Sequence, residues 1–205
     1  MTGAASLQEN PASLIASSRR ALFLDRDGVI NVDTGYLHRI EECEFIPGVF
    51  DLARRAHALD YAIIVVTNQA GIARGLYSEE IFETFMQWMR AEFDAQGAPL
   101  ADVYHCPHHP EFGGVLLRMR CACRKPAPGM LLRAAQEWNI DLAASTLVGD
   151  SATDIEAAQA AGVQQRVLFG AASTNPAHAH LDCLRATAMS EIEILLDPVT
   201  DRAFS

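Results

Sequence analysis

The sequence predicts an α/β protein: a parallel sheet with helices on both faces. Three observations carry that expectation. Short apolar, β-like runs alternate along the chain with segments of helical spacing, the pattern of βαβ units. One run, YAIIVVT at 61–67, is apolar and β-branched throughout, as a strand covered on both faces should be. A polar cluster follows most of these runs, and parallel sheets bind ligands outside the carboxyl ends of their strands.

The elements follow in order. ALFLD at 21–25 is a short strand that stops at DRDG. GVFDLARRAHALD at 48–60 has helical spacing at Val49, Leu52, Ala53, Ala56 and Leu59. The 61–67 strand ends at TNQAG. SEEIFETFMQWMRAEFDAQG, from Ser78, opens with an N-cap and two glutamates and reads as a helix. Its Ile81, Phe82, Phe85, Trp88, Met89 and Phe93 form a wide apolar stripe, read as core packing. ADVYHC (101–106) is a third strand and PGMLLRAAQEWN (128–139) a helix. STLVGD (145–150) is a fourth strand, SATDIEAAQAAG (151–162) a helix closed by Gly162, and QRVLFG (165–170) a fifth strand. Residues 171–205 are read as an extension that packs on the domain or is partly flexible, with a short helix at MSEIEILL. Residues 1–19 are read as a disordered tail, and 20–170 as the domain.

Composition bounds the function classes. A chain of 205 residues suits one domain with a core of its own. Half of it is hydrophobic and a fifth charged, which is globular rather than disordered. The formal net charge of -10, with no basic stripe, argues against nucleic acid as a partner. The first twenty residues hold no apolar run long enough for a signal peptide or membrane span, so a monomer in the cytoplasm is expected, with no membrane partner. Five cysteines, three of them clustered, make a poor disulfide framework and a better metal pattern in a reducing compartment.

The chemistry is concentrated where the strands end. Asp25 and Asp27 follow the first strand, Thr67 the second, and Asp150 the fourth, while Lys125 lies just before a helix. Any one aspartate after a strand is as readily a helix cap or turn former. Gathered at one edge, three carboxylates would repel one another unless a hard cation sat between them. Mg²⁺ fits, since it takes oxygen ligands from one or two carboxylates plus a substrate phosphate.

FLDRDGVIN, VVTNQAGIARG, CRKPAPGML and LVGDSATDIEAAQAAG together resemble the four motifs of the haloacid dehalogenase (HAD) superfamily of phosphohydrolases, over roughly residues 20–170. The resemblance implies a Rossmann-like three-layer sandwich and phosphoryl transfer through an aspartyl-phosphate. It implies Asp25 as nucleophile and Asp27 as general acid, then general base. Mg²⁺ would be held by the Asp25 and Asp150 carboxylates and the Asp27 carbonyl, with Thr67 and Lys125 binding the transferring phosphoryl group. Asp154 is left open between orienting Lys125 or a metal-bound water and serving as an ordinary first-turn acid. No segment between the motifs is long enough for a large cap domain.

Before the lysine, Cys106-Pro-His108 and Cys121-Ala-Cys123 form two short pairs separated by twelve residues. Three thiolates and one imidazole suit a tetrahedral Zn²⁺ site closed to substrate and therefore structural, stapling the loop 106–123. His109 could stand in for His108; His105, His178 and His180 have no partner pattern. With this loop, DTGYLH, TNQAGIARG, CPHHP, CxCRKPAPGML and GDSATD resemble the D-glycero-D-manno-heptose 1,7-bisphosphate 7-phosphatase family. That resemblance selects His108 as the fourth ligand. It implies a sugar-phosphate substrate contacted by Asp33, Thr34, Gly35, Tyr36, Asn68, Gln69, Ala70 and Arg124. Ser151 stands where some members carry lysine, which bears on anomer preference. Two rival functions are histidinol-phosphate phosphatase, whose zinc loop is typically shorter, and a non-catalytic zinc-binding scaffold.

Overall fold

A computed structural model of the chain describes residues 18–196. Residues 1–17 and 197–205 lie outside the described residues, and with them most of the expected N-terminal tail and the end of the C-terminal extension. The elements are β1 (Arg20–Leu24), α1 (Val49–Ala58), β2 (Tyr61–Asn68), α2 (Ala70–Ala73), α3 (Glu79–Ala95), β3 (Leu100–Cys106), α4 (Gly129–Trp138), β4 (Thr146–Gly149), α5 (Ala152–Ala161), β5 (Gln165–Phe169), β6 (Leu184–Ala186) and α6 (Met189–Leu196), with short 3-10 turns between some of them.

The six strands form one parallel sheet in the order β3-β2-β1-β4-β5-β6. Side chains alternate across it because strand residues point to opposite faces in turn. Leu22, Leu24, Ile63, Val65 and Val148 meet α1, α3 and α6 on one face. Ala21, Phe23, Ala62, Ile64, Val66 and Leu147 meet α4 and α5 on the other. Each fully buried Leu, Ile or Phe side chain contributes about 1.5–3 kcal/mol of burial, so this two-sided core is what fixes the strand ends in space.

The helices obey their sequence signals. Ser78 caps α3 by accepting from the Ile81 N–H. Phe82, Phe85, Met86, Met89 and Phe93 are its buried face, whereas Ile81 is exposed and Trp88 half-buried. Ile81 precedes Phe82 by one position, about 100° round the helix, and falls off the stripe. Gly162 closes α5 in the left-handed conformation, φ 88.

Beyond the five strands read from the sequence lies a sixth. β6 pairs parallel with β5, and α6 packs Met189, Ile192 and Leu196 into the α1 side of the core. The longest excursions from the layers are 25–48 and 107–128.

Candidate active site

Strand order reverses direction at β1, so β1 and β4 flank the crevice where connections leave on opposite faces. Asp25 follows β1 and Asp150 follows β4, so the switch point itself brings these carboxylates together. Gly28 permits the approach. Its φ of 81 is left-handed, and a Cβ there would lie 2.1 Å from Asp150 Oδ2.

Lys125 is buried at the centre of the cluster. Its Nζ lies 2.9 Å from Asp25 Oδ1 and 2.5 Å from Asp154 Oδ1, and donates to the Val66 carbonyl at 2.8 Å. Burial works against its charge, but Asp154 and Asp25 outweigh burial and raise its pKa. Carboxylate oxygens of Asp25, Asp150 and Asp154 all lie within 4.8 Å of one another. One lysine faces three carboxylates, which leaves two negative charges unmatched. Accordingly, burial pushes Asp25 up to about 7, with Asp154 and Asp150 adding to the rise and Lys125 opposing it. Asp150 is pushed up to about 6, again by burial first and then by Asp154. An all-oxygen set with two charges to spare fits a hard divalent cation.

Asp154 performs both tasks that its position suggested. Oδ1 pairs with Lys125, while Oδ2 accepts from the Ser151 N–H at 3.1 Å and the Ser151 hydroxyl at 2.5 Å, the capping box of α5. Gly149 makes room for it, since a Cβ there would lie 2.2 Å from the Asp154 Cβ.

Asp27 is held by donors. Arg26 Nε and Nη2 donate to its carboxylate at 2.7–3.1 Å, Asn31 Nδ2 at 3.0 Å and Gln69 Nε2 at 3.2 Å. Arg26 is 1% exposed, lies over Phe85 at 5.1 Å, and also donates to the Leu37 carbonyl at 2.9 Å. Neither Arg26 nor Asn31 nor Tyr77 stood out in the sequence, although all three shape this site. Gln69 is buried: Nε2 also donates to Thr67 Oγ1 at 2.8 Å, and Oε1 accepts from Tyr77 Oη at 2.5 Å. Its side chain therefore links Thr67, Asp27 and Tyr77 at the cavity wall.

These groups surround a cavity of about 400 Å³, within the range of small-molecule sites. Asp25, Asp27, Thr67, Lys125, Asp150, Asp33, Gly35, Tyr36, Asn68, Gln69, Ala70 and Ser151 line it, joined by Tyr77, Thr153 and Asp154. Two expected contacts do not: Thr34 is exposed off the rim, and Arg124 lines a neighbouring depression of about 260 Å³ that shares Lys125 with the first. Asn68 is tied up by Lys125, accepting from its N–H at 3.1 Å and donating to its carbonyl at 3.2 Å.

A second cluster stands beside the first. Cys106 Sγ lies 3.5 Å from Cys121 Sγ and 3.2 Å from Cys123 Sγ, and Cys121 lies 3.2 Å from Cys123. His108 Nδ1 is 3.3 Å from Cys123 and 3.6 Å from Cys106. A zinc ion bonded to sulfur at about 2.3 Å holds its ligands within about 4 Å of one another, so the donor set and spacing fit. Burial pushes the Cys106 thiol up, and a thiolate there needs a cation. His109 is turned away against Phe112, ring centroids 4.8 Å apart. Val115 and Leu116 at the tip of the loop are exposed, so the loop has little core of its own.

The HAD-hydrolase-like family model matches residues 122–186. The D-glycero-alpha-D-manno-heptose-1,7-bisphosphate 7-phosphatase of Burkholderia mallei is 52% identical over 73% of this chain and 79% of its own length. The D-glycero-beta-D-manno-heptose-1,7-bisphosphate 7-phosphatase of Escherichia coli K12 is 49% identical over 75% and 81%. The crystal structure of D,D-heptose 1,7-bisphosphate phosphatase from B. bronchiseptica, complexed with magnesium and phosphate, superposes with a TM-score of 0.75 at 31% identity, covering 86% of this chain and 97% of that one.

Proposed function

The chain belongs to the heptose 1,7-bisphosphate 7-phosphatase family of HAD-like phosphoric monoester hydrolases, and from that premise we propose that it removes the 7-phosphate of D-glycero-D-manno-heptose 1,7-bisphosphate through a phospho-aspartate. The observation that carries this reading is the open cavity at the switch point, where Asp25 and Asp150 converge beside Lys125 and Thr67. A scaffold protein would have no use for that convergence.

Asp25 Oδ1 is engaged by Lys125 and by the Arg26 N–H at 2.7 Å, which leaves Oδ2 to attack phosphorus. As the ester P–O bond breaks, Asp27 gives its proton to the departing sugar oxygen. Asp27 then takes a proton from water, whose oxygen attacks phosphorus. The bond to Asp25 breaks and inorganic phosphate leaves. Splitting the reaction this way replaces one difficult displacement with two easier ones. Lys125 and Thr67 stabilise the charge on the phosphoryl oxygens. Asp25 and Asp150, with the Asp27 carbonyl, would hold Mg²⁺, which when bound screens the repulsion between nucleophile and phosphate. Cys106, His108, Cys121 and Cys123 would hold a structural Zn²⁺, and these four side chains, so joined, would fix the segment leading directly into Arg124 and Lys125.

The test is a panel of phosphate esters assayed with Mg²⁺, including both heptose bisphosphate anomers and histidinol phosphate. The heptose bisphosphates should lead in kcat/KM. Faster turnover of histidinol phosphate would overturn the substrate assignment.

A further inference from the structure

Arg74 stands next to Tyr36, one of the residues that line the catalytic cavity. It ends α2, directly after the strand end that carries Thr67, and its side chain is exposed. Its Cζ lies 3.7 Å from the centre of the Phe112 ring and 5.6 Å from that of Tyr36. Phe112 belongs to the cysteine-bearing loop, and Tyr36 to the segment after Asp27 that lines the cavity. The loop packs closely on α2 here: a Cβ on Gly113 would lie 3.1 Å from the Ala73 carbonyl oxygen. The guanidinium is therefore packed on the Phe112 ring and lies within cation–π range of Tyr36, two rings from different segments.

Stacking fixes the plane of a guanidinium while leaving its N–H edge free. Among the described residues, no side-chain hydrogen bond or ion pair occupies Arg74. Arg124 also holds this loop segment, its Nη1 donating to the His108 carbonyl at 3.2 Å, and His109 packs tilted against Phe112. Two cations, Arg74 and Arg124, thus both touch the loop within residues 108–112.

We propose that Arg74 is a specificity-determining residue that binds the substrate phosphate distant from the scissile bond. This rests on the sugar-bisphosphate reading above. A planar fork with unmatched donors suits a phosphate better than a hydroxyl. Lys125 sits within the reacting cluster, so a second cation at the rim selects substrates that carry a second anionic group. The two aromatic faces keep the guanidinium in place before substrate arrives, and less ordering is lost on binding.

The experiment compares kcat/KM for heptose 1,7-bisphosphate with that for heptose 7-phosphate, in the parent protein and in Arg74→Ala, Arg74→Lys and Phe112→Leu. In the parent the bisphosphate is preferred. In Arg74→Ala the preference falls by about tenfold or more, mainly through KM, as expected for losing a charged hydrogen-bonding partner. Arg74→Lys keeps the charge but not the fork, and recovers part of it. Phe112→Leu, which frees the guanidinium, loses part of it. Because Arg74 is exposed, the thermal midpoint of Arg74→Ala should match the parent, and this is measured alongside. An unchanged preference in Arg74→Ala, or an equal loss on both substrates, overturns the assignment. A parent protein with no preference for the bisphosphate overturns instead the substrate reading beneath it.

Discussion

The carboxylate cluster and the thiolate cluster sit side by side at the same edge of the sheet, yet they are built on opposite principles. The carboxylates surround a lysine that belongs to the chain, Lys125, paired with Asp25 and Asp154. That internal cation lets the acidic cluster assemble before any metal arrives. Among the described residues, no side-chain cation is paired with the cysteine–histidine cluster: three sulfurs and one imidazole face one another on a loop with an exposed tip. The first cluster lines the catalytic cavity, whereas of the second only Cys121 borders a depression, and its four side chains would fill the coordination of a tetrahedral ion. A site that must exchange substrate keeps a built-in charge and a vacant side. A site that must hold a loop can depend wholly on its ion.

The largest expected effect tests the open cluster. Asp25→Asn should lower kcat by a factor on the order of 10³ to 10⁶, the range for removing a catalytic nucleophile. Its circular dichroism and thermal midpoint should stay near those of the parent, because Asp154 still pairs with Lys125. Next comes the closed cluster. Cys121→Ser, or zinc removal by a chelator, should cost several kcal/mol of stability and lower the unfolding midpoint sharply. Zinc content by plasma emission should fall in step. The contrast would break if chelation left the midpoint unmoved.

Arg26 comes third. Arg26→Met should slow turnover of alkyl phosphates about ten- to a hundredfold, the scale of general acid–base assistance. The loss should be smaller for an aryl phosphate, whose leaving group needs little protonation. Equal losses on both would show that Arg26 serves only the fold. The smallest effect is a pH dependence. Asp25 and Asp150 are raised to about 7 and about 6 in the fold, so without metal their contribution to stability falls as pH rises from about 4 through about 7. Protons and Mg²⁺ compete for the same oxygens. Added Mg²⁺ should therefore raise the midpoint by about 5 °C or less at pH 8, and by less still at pH 5. The reverse order, read by differential scanning fluorimetry, would contradict the cluster as the cation's site.

Much of this was legible in the sequence because strand ends announce themselves. Apolar runs such as 61–67 end where polar side chains begin, and in a parallel sheet those ends share one edge. That alone placed Asp25, Thr67 and Asp150 near one another. What escaped notice depended on tertiary burial. Arg26 gives no signal of its own within DRDG, and only the Leu37 carbonyl and the Phe85 ring reveal it as a buried clamp on Asp27. Gln69 reads as a substrate contact, and nothing in the sequence shows that its Oε1 also accepts from the distant Tyr77 hydroxyl. β6 has three residues, of which only Ala186 is buried, so it has no period to detect.

The most direct measurement is a covalent trap. Asp27→Asn, incubated with Mg²⁺ and an aryl phosphate that the parent protein turns over, should accumulate the mass of one phosphoryl group, which peptide mapping places on Asp25. Release of phosphate by the parent with no adduct on Asp25 in this variant, even under rapid quench, would contradict the account.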